Sequence, residues 1–220
     1  MTASIIYYTD NQLREPIATT VREQLLKISQ ERNLPIVSAS LEPLDFGENH
    51  HVQMKRGYEA MFTQILTCLE NAKTDLVYFC EADVLYHPSH FDWQPDNLKQ
   101  WWYNQNWYKI GKGDLAVHWD ADQVSGIVVG RETALEYYKQ RLAEFDPNNF
   151  DRKFEPLSGE GSFSWKSDFP NIDIRHNHNL TYNKWSLSDF RNKATAVNFT
   201  QTTIDKIPGW DKNELQQILL

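Results

Sequence analysis

The chain has 220 residues, 40 % of them hydrophobic and 24 % charged, which fits one soluble globular domain with a substantial core. Its formal net charge is −8 and its cations are not clustered. That excludes a broad face for duplex phosphates, which needs several cations tracking the backbone, but not a small basic pocket for one diphosphate.

The start, MTASIIYYTDN, has neither the basic nor the long apolar region of a signal peptide, and no run approaches the roughly 18 apolar residues of a membrane span. A soluble, cytoplasmic chain is the expectation. Cys68 and Cys80, without CxxC spacing, read as two reduced core thiols.

Residues 4–8 (SIIYY) predict a buried strand closed by the turn formers Thr9, Asp10 and Asn11. Ile17, Val21, Leu25 and Ile28 recur at helical spacing, so residues 15–32 predict an amphipathic helix, ended by Asn33 and Pro35. Residues 36–41 read as a second strand, 42–55 as a polar loop, and Tyr58 to Ala72 as a second helix. The run LVYFC, residues 76–80, is a third strand, and it ends in Glu81-Ala82-Asp83. This order is that of a parallel sheet with crossover helices, whose ligands lie beyond the carboxyl ends of the strands.

After residue 90 the pattern changes. Pro95-Asp96 reads as a helix start, 107–110 and 115–119 as a hairpin around GKGD, and 125–130 (SGIVVG) as a strand. Leu135, Tyr138, Leu142 and Phe145 mark a further helix. Residues 146–171 read as a long polar loop, of a length that is often functional, 172–175 as a strand before His176-Asn177-His178, and 210–220 as a terminal helix.

In extended backbone, residues two apart point the same way, so Glu81 and Asp83 converge just outside the sheet. Two carboxylates with open positions suit Mg²⁺ or Mn²⁺, whose other ligands are commonly substrate phosphates. Asp10 and Glu42 end the first two strands. Asp10 is equally an Asx turn in TDN. Arg56 precedes a helix start that favours phosphate. Trp101, Trp102, Trp107 and Trp119 can stack on sugar faces, with core filling the expectation for most of them.

In this order of motifs the chain resembles the GT-A-fold glycosyltransferases, especially the family-2-like group. Glu81-Ala82-Asp83 takes the DxD place, Ser125-Gly126 with Gly130-Arg131 the glycine segment, Gly159-Glu160-Gly161 the acidic motif and His176 the late histidine, across roughly residues 4–180. The resemblance implies a GT-A-like α/β fold with a mixed, mostly parallel sheet. Residues 1–90 would bind nucleotide-sugar, 91–200 would bind acceptor, and the whole of 1–220 would be one domain.

It also implies Mn²⁺ or Mg²⁺ held by Glu81, Asp83 and His176, with His178 as the nearby competitor; His176 can equally bond the diphosphate directly. Asp10, Glu42, Arg56 and Ala82 are the expected donor contacts, with a UDP-sugar as the default donor. Glu160 is the first choice of base on the acceptor hydroxyl, and Asp120 and Asp122 are its competitors. The chain departs from the family pattern in having Glu81 at the first DxD position and Gly161 where a second acid is expected. The rival readings are a nucleotide- or carbohydrate-binding protein without turnover and, more remotely, a sugar-1-phosphate nucleotidyltransferase, whose glycine- and arginine-rich loop YYTDNQLREP lacks.

Overall fold

The computed structural model describes residues 1–149, 156, 162–180 and 196–219. In chain order its elements are β1 (Ala3–Thr9), α1 (Ile17–Arg32), β2 (Ile36–Ser40), β3 (Glu48–His51), α2 (Tyr58–Asn71), β4 (Leu76–Glu81) and β5 (Val84–Leu85). There follow β6 (Trp101–Asn104), β7 (Trp107–Ile110), β8 (Leu115–Ala121), β9 (Ile127–Gly130), α3 (Arg131–Ala143), β10 (Ser162–Trp165), β11 (Asn171–Ile174), β12 (Ala196–Thr203) and α4 (Lys212–Leu219).

Two sheets organise these elements. The larger has the order β10-β6-β9-β4-β1-β2-β3. In it β3, β2, β1 and β4 run parallel, β9 runs against both β4 and β6, and β10 runs with β6. The smaller has the order β12-β8-β7-β11-β5, antiparallel except for β11 beside β7.

Alternation along the strands sends side chains to two cores. Ile6, Val77 and Phe79 pack with Phe62, Ile65, Cys68 and Leu69 of α2 and Tyr138 of α3. On the other face Ile5, Tyr7, Leu76 and Tyr78 pack with Val21, Leu25 and Ile28 of α1 and with Ile110, Ile172 and Ile174 of the smaller sheet. Strands covered on both faces are near-continuously apolar, which is why β1 and β4 read so plainly in the sequence. Both cysteines are buried free thiols, and burial pushes the Cys68 thiol above its ordinary range.

The predicted hairpin forms, with Trp107 opposite Trp119 and Gly113 in its turn at φ 95°, a conformation that favours glycine. Four expectations are corrected. The polar loop 42–55 contains β3, an edge strand whose polar residues suit that place; Asn49 reaches inward to the Ser38 and Ser40 hydroxyls. No helix follows Pro95-Asp96; the aromatic run there forms β6, in which Trp101 and Tyr103 face one core and Trp102 the other. The strand expected from Ser125 starts at Ile127, after a 3₁₀ turn over Val124–Gly126. The long loop contains β10, paired to β6. Trp101, Trp107 and Trp119 are core residues, whereas Trp102 is partly exposed and lies against Trp93 and Phe163.

Candidate active site

The carboxyl end of β4 delivers Glu81, paired in register with Tyr8 of β1. The Tyr8 hydroxyl donates to Glu81 Oε1 at 2.8 Å; burial, and then the Glu81 charge, push the phenol well above its ordinary range, so it remains a donor. On the other side, the ladder to β9 stops at Tyr78 opposite Val128. Beyond that point the wholly buried Tyr86 hydroxyl takes the ladder's place. It accepts from Glu81 N at 2.9 Å and donates to the Ser125 carbonyl at 3.1 Å, tying the acidic turn to the glycine segment.

After Glu81 the chain turns through Ala82, which leans on the core, and Asp83. β5 then pairs with β11, and Ile174 N donates to the Asp83 carbonyl at 2.9 Å. Two residues further on, His176 Nε2 lies 3.0 Å from Asp83 Oδ2. The tertiary fold therefore joins residues 93 positions apart. β11 is held in place by a buried ion triad, in which Asp173 meets Lys109 of β7 at 3.3 Å and Arg175 at 2.9 Å. Burial pushes the Asp173 carboxyl up, and Arg175 and then Lys109 more than offset this, so it ends below its ordinary value.

The segment from His176 onward crosses toward β1. His178 N donates to His176 Nδ1 at 3.1 Å, and the His178 carbonyl accepts from Arg56. Arg56 Nε also meets Asp10 Oδ2 at 2.5 Å, while Asp10 Oδ1 accepts from Gln12 N at 3.0 Å. Asp10 is thus both an Asx turn and the anchor of Arg56. Next to it Asn11, at φ 58°, accepts from Leu41 N and Glu42 N, each at 2.9 Å. Asp10, Glu42, Arg56, Glu81, Ala82, Asp83, His176 and His178 accordingly lie along one carboxyl edge, that of β1, β2 and β4.

Asp120 and Asp122 lie at the end of β8, ahead of the 3₁₀ turn whose Ser125 carbonyl meets Tyr86. Asp120 is buried and bound by Lys166 Nζ at 2.5 Å. Asp122 is partly buried; Gln105 Nε2 donates to its Oδ1 at 2.9 Å, and burial raises its carboxyl above the ordinary value. Gly126 is required sterically, since a Cβ there would sit 2.7 Å from the Trp107 ring and 3.0 Å from the Asn104 carbonyl. Glu160 lies outside the described residues.

Among the described residues no group of three or more His, Cys, Asp and Glu side chains is assembled as a ligand set. Glu81 ends β4 while Ala82 and Asp83 form the turn after it, so the strand alternation expected to aim both carboxylates the same way does not reach Asp83. What stands at this edge is two carboxylates, the acceptors with which a hard divalent cation is held when water and phosphate oxygens fill its other positions. The partners Tyr8, Tyr86, Gln105 and Lys166 carry no signal in the sequence. Each acts on a group distant in the chain, or through a backbone atom.

No family model matches the sequence, and neither does any curated protein. Solved structures do. A glycosyltransferase involved in glycosylation of the major capsid of PBCV-1 is 12 % identical, with a TM-score of 0.50 over 79 % of this chain and 92 % of that one. The catalytic domain of Drosophila β1,4-galactosyltransferase 7 with xylobiose is 14 % identical, at 0.37 over 60 % of this chain. Its D211N mutant with manganese, UDP-Gal and xylobiose is 12 % identical, also at 0.37. This chain spans about half the length of those two (49 % and 50 %). No helix is long and apolar enough to cross a membrane among the described residues. The sheet order, the crossover helices and the first of these likenesses agree on the architecture: this chain has a GT-A-like fold, a mixed and mostly parallel sheet flanked by helices.

Proposed function

We propose that the protein is a metal-assisted glycosyltransferase that moves a sugar from a nucleotide-diphosphate donor to an acceptor hydroxyl. The observation that carries this reading is the meeting of Asp83 and His176 beside Glu81, at the carboxyl edge of a GT-A-like sheet. A ligand of such a sheet binds there.

Mg²⁺ or Mn²⁺, held by Glu81 and Asp83, would supply neutralisation of the charge that the leaving diphosphate acquires. The residues of the chain do the rest. Arg56, anchored by Asp10 beside the start of α2, brings a cation to the phosphates. Glu42, Asp10 and the Ala82 backbone border the nucleoside.

Of the two described candidates for the acceptor base, Asp122 is better supported than Asp120, because its raised carboxyl combines with an orientation held by Gln105; Glu160 remains the candidate outside the described residues. Asp120 is buried under Lys166 and serves as that lysine's counter-ion.

The test is a thermal-shift panel of UDP, GDP, CDP and dTDP, each with and without Mn²⁺, on the wild type and on Asp83→Asn. Saturation at a hundredfold over Kd stabilises by about 2.7 kcal/mol, which is readily seen. The wild type shifts with one nucleotide and only with metal, and Asp83→Asn loses that shift while unfolding cooperatively as before. An equal shift in the mutant would sink the assignment. Release of free nucleotide from its sugar conjugate with Mn²⁺ separates an enzyme from a protein that only binds.

A further inference from the structure

The same edge of the sheet defines what His176 does, and this rests on the metal-assisted reading above. Nε2 of His176 is 3.0 Å from Asp83 Oδ2. That spacing alone decides nothing. It is a hydrogen-bond length, and it is also about the separation of adjacent donors around an ion with bonds of about 2.1 Å.

The proton decides. His178 N donates to His176 Nδ1 at 3.1 Å, so Nδ1 spends its lone pair as an acceptor. An imidazole whose Nδ1 accepts carries its ring proton on Nε2, the atom that faces the carboxylate. A metal-ligating histidine has the reverse arrangement, with a bare nitrogen on the ion and an N–H on the far side donating to a carbonyl or carboxylate. Turning His176 into a ligand would move its proton to Nδ1, against the His178 N–H. The backbone resists this shift, because the His178 carbonyl is bound by Arg56, the Leu180 carbonyl takes the Tyr58 hydroxyl at 2.9 Å, and Arg175 N is bonded to the Ile110 carbonyl at 2.7 Å.

From this geometry we infer that His176 is a positioning residue, not a metal ligand. It donates Nε2–H to Asp83 Oδ2 and so fixes which way the carboxylate faces. His178 acts on His176 through its backbone N–H, its carbonyl being held by Arg56, and the two imidazole rings stack with centroids 6.3 Å apart.

Electron spin echo spectroscopy of Mn²⁺ with UDP on the full chain tests the assignment. The expected spectrum shows ³¹P coupling from the bound nucleotide and no ¹⁴N coupling of a directly ligated imidazole. Mn²⁺ titrations then compare variants. His176→Ala weakens the site about tenfold or more, and His176→Gln, which keeps an N–H near the Nε2 position, restores affinity to within a few-fold of wild type. Imidazole ¹⁴N coupling in the wild type that vanishes in His176→Gln overturns the inference. So does His176→Ala with unchanged Mn²⁺ affinity. If the wild type binds no Mn²⁺ with any of the four nucleotides, the metal-assisted reading itself fails, and the positioning role falls with it.

Discussion

The parallel half, from β1 to β4, and the seam that joins the two sheets solve the same problem by different means. In the parallel half, long ladders satisfy the backbone, and the interior is apolar on both faces: Ile5, Ile6, Tyr7, Val77 and Phe79 are fully buried. In the seam the strands are two to four residues long, too short to pair their flanking backbone groups. Side chains take over there.

The buried Asn104 donates to His90 Nδ1 at 3.0 Å and to Ser167 Oγ at 2.9 Å, and accepts from Asn106 N at 3.0 Å; its own carbonyl takes the Trp107 indole N–H. Asn171 adds a second amide to His90 Nδ1 at 3.2 Å. Regular backbone pairing tolerates many side chains, whereas a network of single bonds depends on each member. The candidate site lies where the two regimes meet.

That contrast can be broken experimentally. Asn104→Ala leaves several buried partners unsatisfied, and a loss of about 3 kcal/mol is expected in urea unfolding, against about 1 kcal/mol for Ile6→Val in the parallel half. Equal losses would remove the distinction between the regions.

A second effect is pH-dependent. Burial pushes His90 down from 6.5 to about 3. The unfolded chain takes up this proton as pH falls through the ordinary value, while the folded chain does so only near the depressed one. The contribution is therefore complete above about pH 6.5 and lost as pH falls below it, amounting to about 2 kcal/mol at pH 5. His90→Gln should flatten the stability profile between pH 7 and 5; a profile parallel to the wild type's would show that the slope arises elsewhere.

The smallest effect belongs to the surface. Arg32 of α1 meets Asp92 through two bonds, at 2.9 and 3.1 Å, at an exposed edge of the seam. Solvent screening limits that pair to about 0.5 kcal/mol, so Arg32→Ala should barely move the urea midpoint.

Much of this architecture is legible in the sequence. Period-3.6 spacing marks α1 and α2, and apolar runs ending in acids mark β1 and β4, because elements buried by simple layering carry their burial in their own composition. β3 and β10 are not legible: an edge strand is half solvated and its polar residues look like loop. β6 hides because its aromatics serve two cores. The acids of the candidate site are visible for the same reason as β4, since a buried strand that ends in Glu81 and Asp83 breaks its own pattern.

By itself, then, the sequence determined β1, α1, β2, α2 and β4 of the parallel half, the carboxyl edge they share and the residue types that end there. Only the tertiary structure decided which of them act together. Asp83 meets His176 because β5 pairs with β11; Asp120 and Asp122 part company because Lys166 reaches one and Gln105 the other. The role of His176 depends on a hydrogen bond from a backbone N–H. Every residue but proline carries that donor, so no sequence pattern announces it, and only the folded chain shows where it points.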